Sequence, residues 1–382
     1  MTHARSFHHL ARLTVVVGVA LIWWGAAVTT EDVGLSVPDW PLCYGHINPE
    51  GWLGIPALFL EHGHRWIGAS IGVLVLILYL WQLNAKRTLE FAEPETRFLE
   101  GAGLILCGIG YFYLVRHDAL GPAFTIAGFG FAWLVITWIY RQWPLLRGLA
   151  TLALLMVILQ ASLGGLRVLQ MSDPYGIVHG VLGQLFFCVL LWIAFASSRT
   201  WRHGQLILHV RQRLGAKLWC LLLFLAVFGQ LVIGAILRHT QRDHLAASDL
   251  ILTGGVFVPG RQHADLFTLF LHKYWGVSVA ILTLIVAWRA MLWLASVPSL
   301  ARLAKLMLYL PLIQVGLGIG IILTGKSFWV TNFHVINGLL LLASSFLIMI
   351  SIWSSCASLG LVAEGDACED EPESSGEATS AV

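Results

Sequence analysis

Residues 58–82 read LFLEHGHRWIGASIGVLVLILYLWQ. A polar knot, Glu61-His62-Gly63-His64-Arg65, opens a stretch that then runs without a charge to Gln82. At about 1.5 Å of rise per residue it crosses the roughly 30 Å hydrocarbon core of a bilayer as one helix, and its unbroken apolar run is unlike the short alternating strands of a barrel. Comparable runs lie at about 12–30, 101–116, 121–140, 148–167, 175–197, 217–237, 266–290, 302–324 and 331–355, so the sequence predicts an all-α polytopic membrane protein of about 10 helices. Gly108, Gly110, Gly128 and Gly130 loosen the third and fourth of these.

Composition agrees, because 58% of the 382 residues are hydrophobic and 12% charged, against roughly 25% charged in soluble domains. Such a chain cannot cover a soluble surface, so membrane lipid is its solvent, and a net charge of +2 argues against a nucleic-acid partner. The run at 13–28 lacks a clear small-residue cleavage pattern and reads as a retained first helix. The six cysteines form no CxxC pair, which speaks against a structural zinc site or a disulfide framework.

With the N-terminus cytoplasmic, fifteen Lys and Arg fall on inner segments and six on outer ones (Arg116, Arg167, Arg238, Arg242, Arg261 and Lys326). That bias selects the orientation with both termini cytoplasmic, for a multi-pass protein expected in a bacterial-type inner (plasma) membrane or its equivalent.

Two parts of the chain resemble each other. Gln160-Ala-Ser-Leu-Gly-Gly precedes His179 by 19 residues, and Gln314-Val-Gly-Leu-Gly-Ile precedes His334 by 20. Gly25-Ala-Ala-Val likewise matches Gly234-Ala-Ile-Leu. The pattern predicts two pseudo-repeated four-helix bundles. The interval from His64 to His179 exceeds that from His272 to His334 by 53 residues, which accommodates an inserted helical hairpin. The expected division is therefore 12–93 with 147–198 as the first bundle, 94–146 as the hairpin, 199–216 as a cytoplasmic linker, 217–357 as the second bundle and 358–382 as a disordered acidic tail.

Ionisable residues inside membrane spans are rare and mark function. A lone histidine there is as often a neutral imidazole bonded to a neighbouring helix. His64, His179, His272 and His334, however, occupy equivalent places, each within about two turns of the outer end of its helix. One histidine on each of two facing helices is how a bundle clasps a haem iron, so His64 with His179 and His272 with His334 make two candidate sites near the outer face. His62, about 200° around the helix from His64, faces away and reads as structural. Glu61 shares a face with His64 and Arg65; it is either an ion-pair partner of Arg65 or a carboxylate held beside a haem edge to move protons. The second repeat offers Leu269 and Lys273 at the places of Glu61 and Arg65. Arg167, Arg238, His239 and Lys326, at outer helix ends, either pair with haem propionates or snorkel to the interface.

Gly34-Leu-Ser-Val-Pro-Asp-Trp-Pro-Leu-Cys43-Tyr-Gly, followed by Glu61-His-Gly-His64-Arg65, resembles the first external loop and Glu-x-x-His-Arg motif of haem A synthases. The resemblance extends through Leu163-Gly-Gly-Leu-Arg and His179 to Arg238-His-Thr, His272 and His334. It implies an oxidoreductase that converts the C8 methyl of haem O to a formyl group, giving haem A for terminal oxidases. It further implies that His64 and His179 bracket the substrate haem, that Glu61, His64 and Arg65 are catalytic, and that His272 and His334 hold a haem B cofactor through its iron. A haem O synthase, an electron donor and further copies of the chain as a homo-oligomer are the partners considered. Many members carry a cysteine pair in the first outer loop, but the partner position of Cys43 is Val37, and the second-half positions are Ala247 and Thr253, in a loop that otherwise matches poorly. The rival reading is a non-catalytic protein of the same fold that binds or delivers haem B during oxidase assembly. A transporter fits less well, since the polar residues cluster near the outer face and not at the midplane.

Overall fold

The computed structural model describes residues 2–84, 101–110, 120–140, 144–203, 207–240, 249–260 and 264–358. The helices are α1 (Thr2–Thr30), α2 (Pro56–Leu83), α3 (Gly101–Gly110), α4 (Leu120–Tyr140), α5 (Leu145–Gln170), α6 (Asp173–Ala196), α7 (Val210–His239), α8 (Ala264–Trp293), α9 (Pro298–Leu306), α10 (Leu310–Leu323) and α11 (Phe328–Trp353). Among the described residues eight stretches are long and apolar enough to cross a membrane, with α9 and α10 together making one of them. Among the described residues Ile207–His209 pairs in parallel with Cys356–Ser358 over three residues.

Helices in lipid gain little from hydrophobic exclusion and must instead pack closely. In the first half α1, α2, α5 and α6 form a closed ring, each against the next, around Phe7, Ile71, Val75, Leu78, Leu149 and Leu190. Phe7 and Ala11 belong to that core, which is why α1 starts at Thr2 and not near residue 12. In the second half α7, α8, α10 and α11 form the matching ring around Leu223, Val286, Leu294, Leu342 and Ile348. The halves meet where α1 lies on α11 and α6 lies on α7 and α11, with Phe187, Leu339 and Ala343 buried at the junction.

Two expectations are revised. The helix expected at 302–324 is broken after Leu306, because Pro311 in the first turn of α10 has no N–H to donate and its ring would strike the carbonyl four residues earlier. The helix expected at 217–237 begins at Val210, and Arg199–His203 is a further short helix, so the segment expected as a linker is partly helical. In the region of the expected hairpin, α3 and α4 touch: a Cβ on Gly130 would lie 2.8 Å from the Cys107 nitrogen. Gly130 thus permits close approach. The apolar parts described there, Gly101–Gly110 and Phe129–Trp138, are shorter than a span. Residues 85–100 and 111–119 of that region, and 359–382 of the expected tail, lie outside the described residues.

Candidate haem sites

His64 on α2 faces His179 on α6 with ring centroids 6.4 Å apart and planes at 82°. His272 on α8 faces His334 on α11 at 6.4 Å and 54°. Two imidazoles on opposite sides of one first-row metal, bound at about 2 Å, hold their centroids about 6 Å apart. Both couples therefore fit a six-coordinate haem iron. Among the described residues no group of three or more His, Cys, Asp or Glu could hold a bare metal ion. An iron that brings four porphyrin nitrogens would need only two further ligands, the number of histidines in each couple.

Glycines make room for each ring. A Cβ on Gly25 would sit 3.0 Å from His64 Cε1, and one on Gly234 would sit 3.0 Å from His272 Cε1. Gly164 and Gly318 stand in the same relation to His179 and His334, at 3.3 and 3.5 Å. These are glycines of the repeated motifs. A signal that motif reading passed over is His-x-x-x-Gly, which occurs at all four histidines with Gly68, Gly183, Gly276 and Gly338. One turn below its histidine, each of the last three faces a glutamine: Gly183 faces Gln160, Gly276 faces Gln230 and Gly338 faces Gln314.

The glutamines orient the ligands. Gln160 Nε2 donates to the His179 carbonyl at 3.1 Å, and His179 Nδ1 lies 3.1 Å from the Gln160 carbonyl. A proton on Nδ1 donated there would leave Nε2 free to bind a metal. Gln230 Nε2 donates to the His272 carbonyl at 2.9 Å and lies 3.1 Å from His272 Nδ1. His62, by contrast, accepts from Trp66 Nε1 at 2.9 Å and packs edge-on against Trp52. It takes no part in either couple.

Glu61 is 4% exposed, and both its oxygens are engaged. Oε1 accepts from Arg65 Nη2 at 2.6 Å; Oε2 accepts from Ser36 Oγ at 2.8 Å and from the Val37 N–H at 3.0 Å. Arg65 Nη1 also donates to the carbonyls of Asp39 and Leu42. The Asp39 carboxylate in turn accepts from the Tyr44 and Gly45 N–H groups, both at 2.7 Å. Its slight burial raises the carboxyl pKa, but these donors outweigh that and hold it below the ordinary value.

The second outer loop repeats this construction despite its different sequence. Lys273 Nζ donates to the carbonyls of Asp249 and Leu252, Asp249 accepts from Gly255 N–H, and Thr253 bridges Val256 as Cys43 bridges His46. Asp39 and Asp249 were missed by sequence reasoning, although each precedes its bridge residue by four positions. What has no counterpart is the carboxylate: Leu269 at the Glu61 position is a buried apolar contact of Leu237.

Of the four outer cations, Arg238 is tied to α1 through the Ala26 carbonyl and Thr30 Oγ1. His239, from the second half, reaches the first: a Cβ on Gly176 of α6 would lie 2.8 Å from His239 Nδ1 and 2.9 Å from Arg167 Nε. Arg167 and His239 thus bring two adjacent nitrogen groups to the outer end of the His179 helix. Lys326 lies in the left-handed turn after α10.

Residues 120–346, which contain His179, His272 and His334, match the COX15-CtaA family, described as cytochrome oxidase assembly protein. The chain is 23% identical over 354 residues to a haem A synthase of Halalkalibacterium halodurans, covering 91% of this chain and 97% of that one. It is 24% identical over 326 residues to a haem A synthase of Shouchella clausii, covering 82% and 87%. A shorter likeness, 32% identical over 78 residues, joins 20% of this chain to 16% of a protohaem IX farnesyltransferase of Haloarcula marismortui.

Proposed function

Because the chain belongs to the COX15-CtaA family of cytochrome oxidase assembly proteins, we propose that it works as a haem A synthase, a membrane oxidoreductase that turns the C8 methyl group of haem O into a formyl group. The observation that carries this reading is the two matched histidine couples, each spaced for one haem iron. His64 and His179 hold the iron of the substrate, haem O. His272 and His334 hold a resident haem B, which when bound supplies one-electron transfer.

The halves are told apart by Glu61, since a site that must move protons has use for a carboxylate and an electron-transfer site has none. Oxidising a methyl to a formyl group removes two of its three C–H bonds, so protons must pass between the site and water. Glu61 holds such a proton on Oε2, while Arg65 fixes the carboxylate through Oε1. Arg167 and His239 pair with the propionates of the substrate and set its rotation between the histidines. A carrier of haem B alone would gain nothing from the difference between Glu61 and Leu269.

The excess of Lys and Arg on one side supports an orientation with both termini cytoplasmic and the histidine couples near the outer face, in a bacterial-type plasma membrane. A haem O synthase would supply the substrate. Co-expression with a haem O synthase in a host without haem A, followed by chromatography of extracted haems, tests the reading. Haem A or its hydroxylated precursor should appear with the parent chain, and Glu61→Gln should yield haem O with haem B retained. Recovery of haem O and haem B alone from the parent chain would overturn the assignment.

A further inference from the structure

Glu61 is buried, yet one hydrogen bond separates it from water. Ser36 is exposed, and its Oγ lies 2.8 Å from Glu61 Oε2 and 2.7 Å from the Val33 carbonyl. It lines an open cleft of about 420 Å³ whose walls include Tyr44, Pro49, Glu50, Ile55 and Leu58. The other partners of the carboxylate lead elsewhere: Val37 is fully buried, and Arg65 is held by two loop carbonyls. Among the described residues Ser36 is therefore the contact through which Glu61 meets the cleft.

The repeat supplies an internal control. Asp39 and Leu42 match Asp249 and Leu252 at a spacing of 210 residues, and the same spacing puts Ala246 where the first half has Ser36. The half that lacks the carboxylate also lacks the hydroxyl. A serine needed only to cap the loop at Val33 would be called for in both halves, because the Asp and Arg/Lys framework of both loops is the same.

Building on the role given to Glu61 above, we infer that Ser36 is the proton relay of the reaction half, a positioning residue that acts through Glu61. A proton on Glu61 Oε2 passes to Ser36 Oγ while the Ser36 O–H proton passes to a water in the cleft. One O–H bond forms and one breaks at the serine oxygen, and no electron moves. Rotation of the hydroxyl restores the starting state, and the reverse order carries a proton inward.

The test uses the full chain, purified with its haem and supplied with haem O, as Ser36→Ala, Ser36→Gly and Ser36→Thr. Ser36→Ala and Ser36→Gly should keep the haem spectrum and the KM for haem O, lower kcat by roughly tenfold or more, and change the pH profile and the solvent deuterium effect on kcat. Ser36→Thr, which keeps the hydroxyl, should restore rate and profile. A parent rate and pH profile in Ser36→Ala, alongside an inactive Glu61→Gln, would overturn the relay and leave the role of Glu61 standing. Equal slowing in Ser36→Thr and Ser36→Ala would also overturn it. A fully active Glu61→Gln would instead remove the carboxylate reading on which the relay rests.

Discussion

Arg65 and Lys273 grip their outer loops by equivalent pairs of carbonyl oxygens, Asp39 and Leu42 in one half and Asp249 and Leu252 in the other. An ammonium group is therefore enough to hold such a loop. What a lysine lacks is the second nitrogen of the guanidinium fork, Arg65 Nη2, which binds Glu61 Oε1 at 2.6 Å. Arg65→Lys should fold and bind haem B as the parent does, yet form haem A more slowly, by on the order of tenfold. Absorbance gives the haem content and chromatography the product; a parent rate would mean that the Arg65 to Glu61 bond has no part in turnover.

The glycines against the histidine rings give a pair of opposed variants. Gly25→Leu and Gly234→Leu each push a side chain into an imidazole that a β-carbon alone would approach to 3.0 Å, a crowding that typically costs about 1–3 kcal/mol. Gly234→Leu should strip the stably bound haem B, as His272→Ala would. Gly25→Leu should keep haem B and lose binding of haem O. Loss of haem B from Gly25→Leu alone would show that substrate and cofactor occupy the opposite halves.

Cys43 is 1% exposed and packs with Val37 and Leu58, and burial pushes its thiol pKa up. A protonated, enclosed thiol is a poor nucleophile. Cys43→Thr, which installs the residue found at Thr253, should leave haem A formation within about twofold of the parent. Thiol reagents should label Cys43 only after denaturation. Rapid labelling of the folded protein, with loss of activity, would contradict this placement.

Asp39 ties the first outer loop to the Tyr44 and Gly45 N–H groups, and its folded pKa is depressed. A depressed carboxyl contributes stability that is complete above its unfolded value of about 3.9 and is lost as pH falls through the lower folded value. Pepsin should accordingly begin to cut within residues 31–55 only as pH drops below about 4. Asp39→Asn should be cut at the same rate across that range. A parent loop whose cleavage does not change over this range would refute the role given to the carboxylate.

Hydropathy reveals the spans because a helix in lipid must be apolar along its whole length, and the histidine couples are legible because imidazoles are rare in such a setting. The break before Pro311 was equally open to reading, since proline cannot continue a helix in mid-course. The second outer loop was not, because the hydrogen bonds at Asp249 and Lys273 keep the geometry of Asp39 and Arg65 while the side chains around them differ. The bond from Ser36 to Glu61 joins residues 25 positions apart across a loop and a helix, and no local pattern announces it.

The contacts between the halves, α1 on α11 and α7 on α6, exchange with one another when the two repeats are interchanged. That is the arrangement of an isologous interface, so the chain has the layout of a two-fold dimer of four-helix units joined in one polypeptide. In a dimer of separate identical copies, a carboxylate beside one haem would stand beside both. Fusion lifts that requirement: Glu61 is present once, opposite Leu269. Under the proposed function, two haems of nearly the same chemical form would sit in nearly the same clamp and meet different fates.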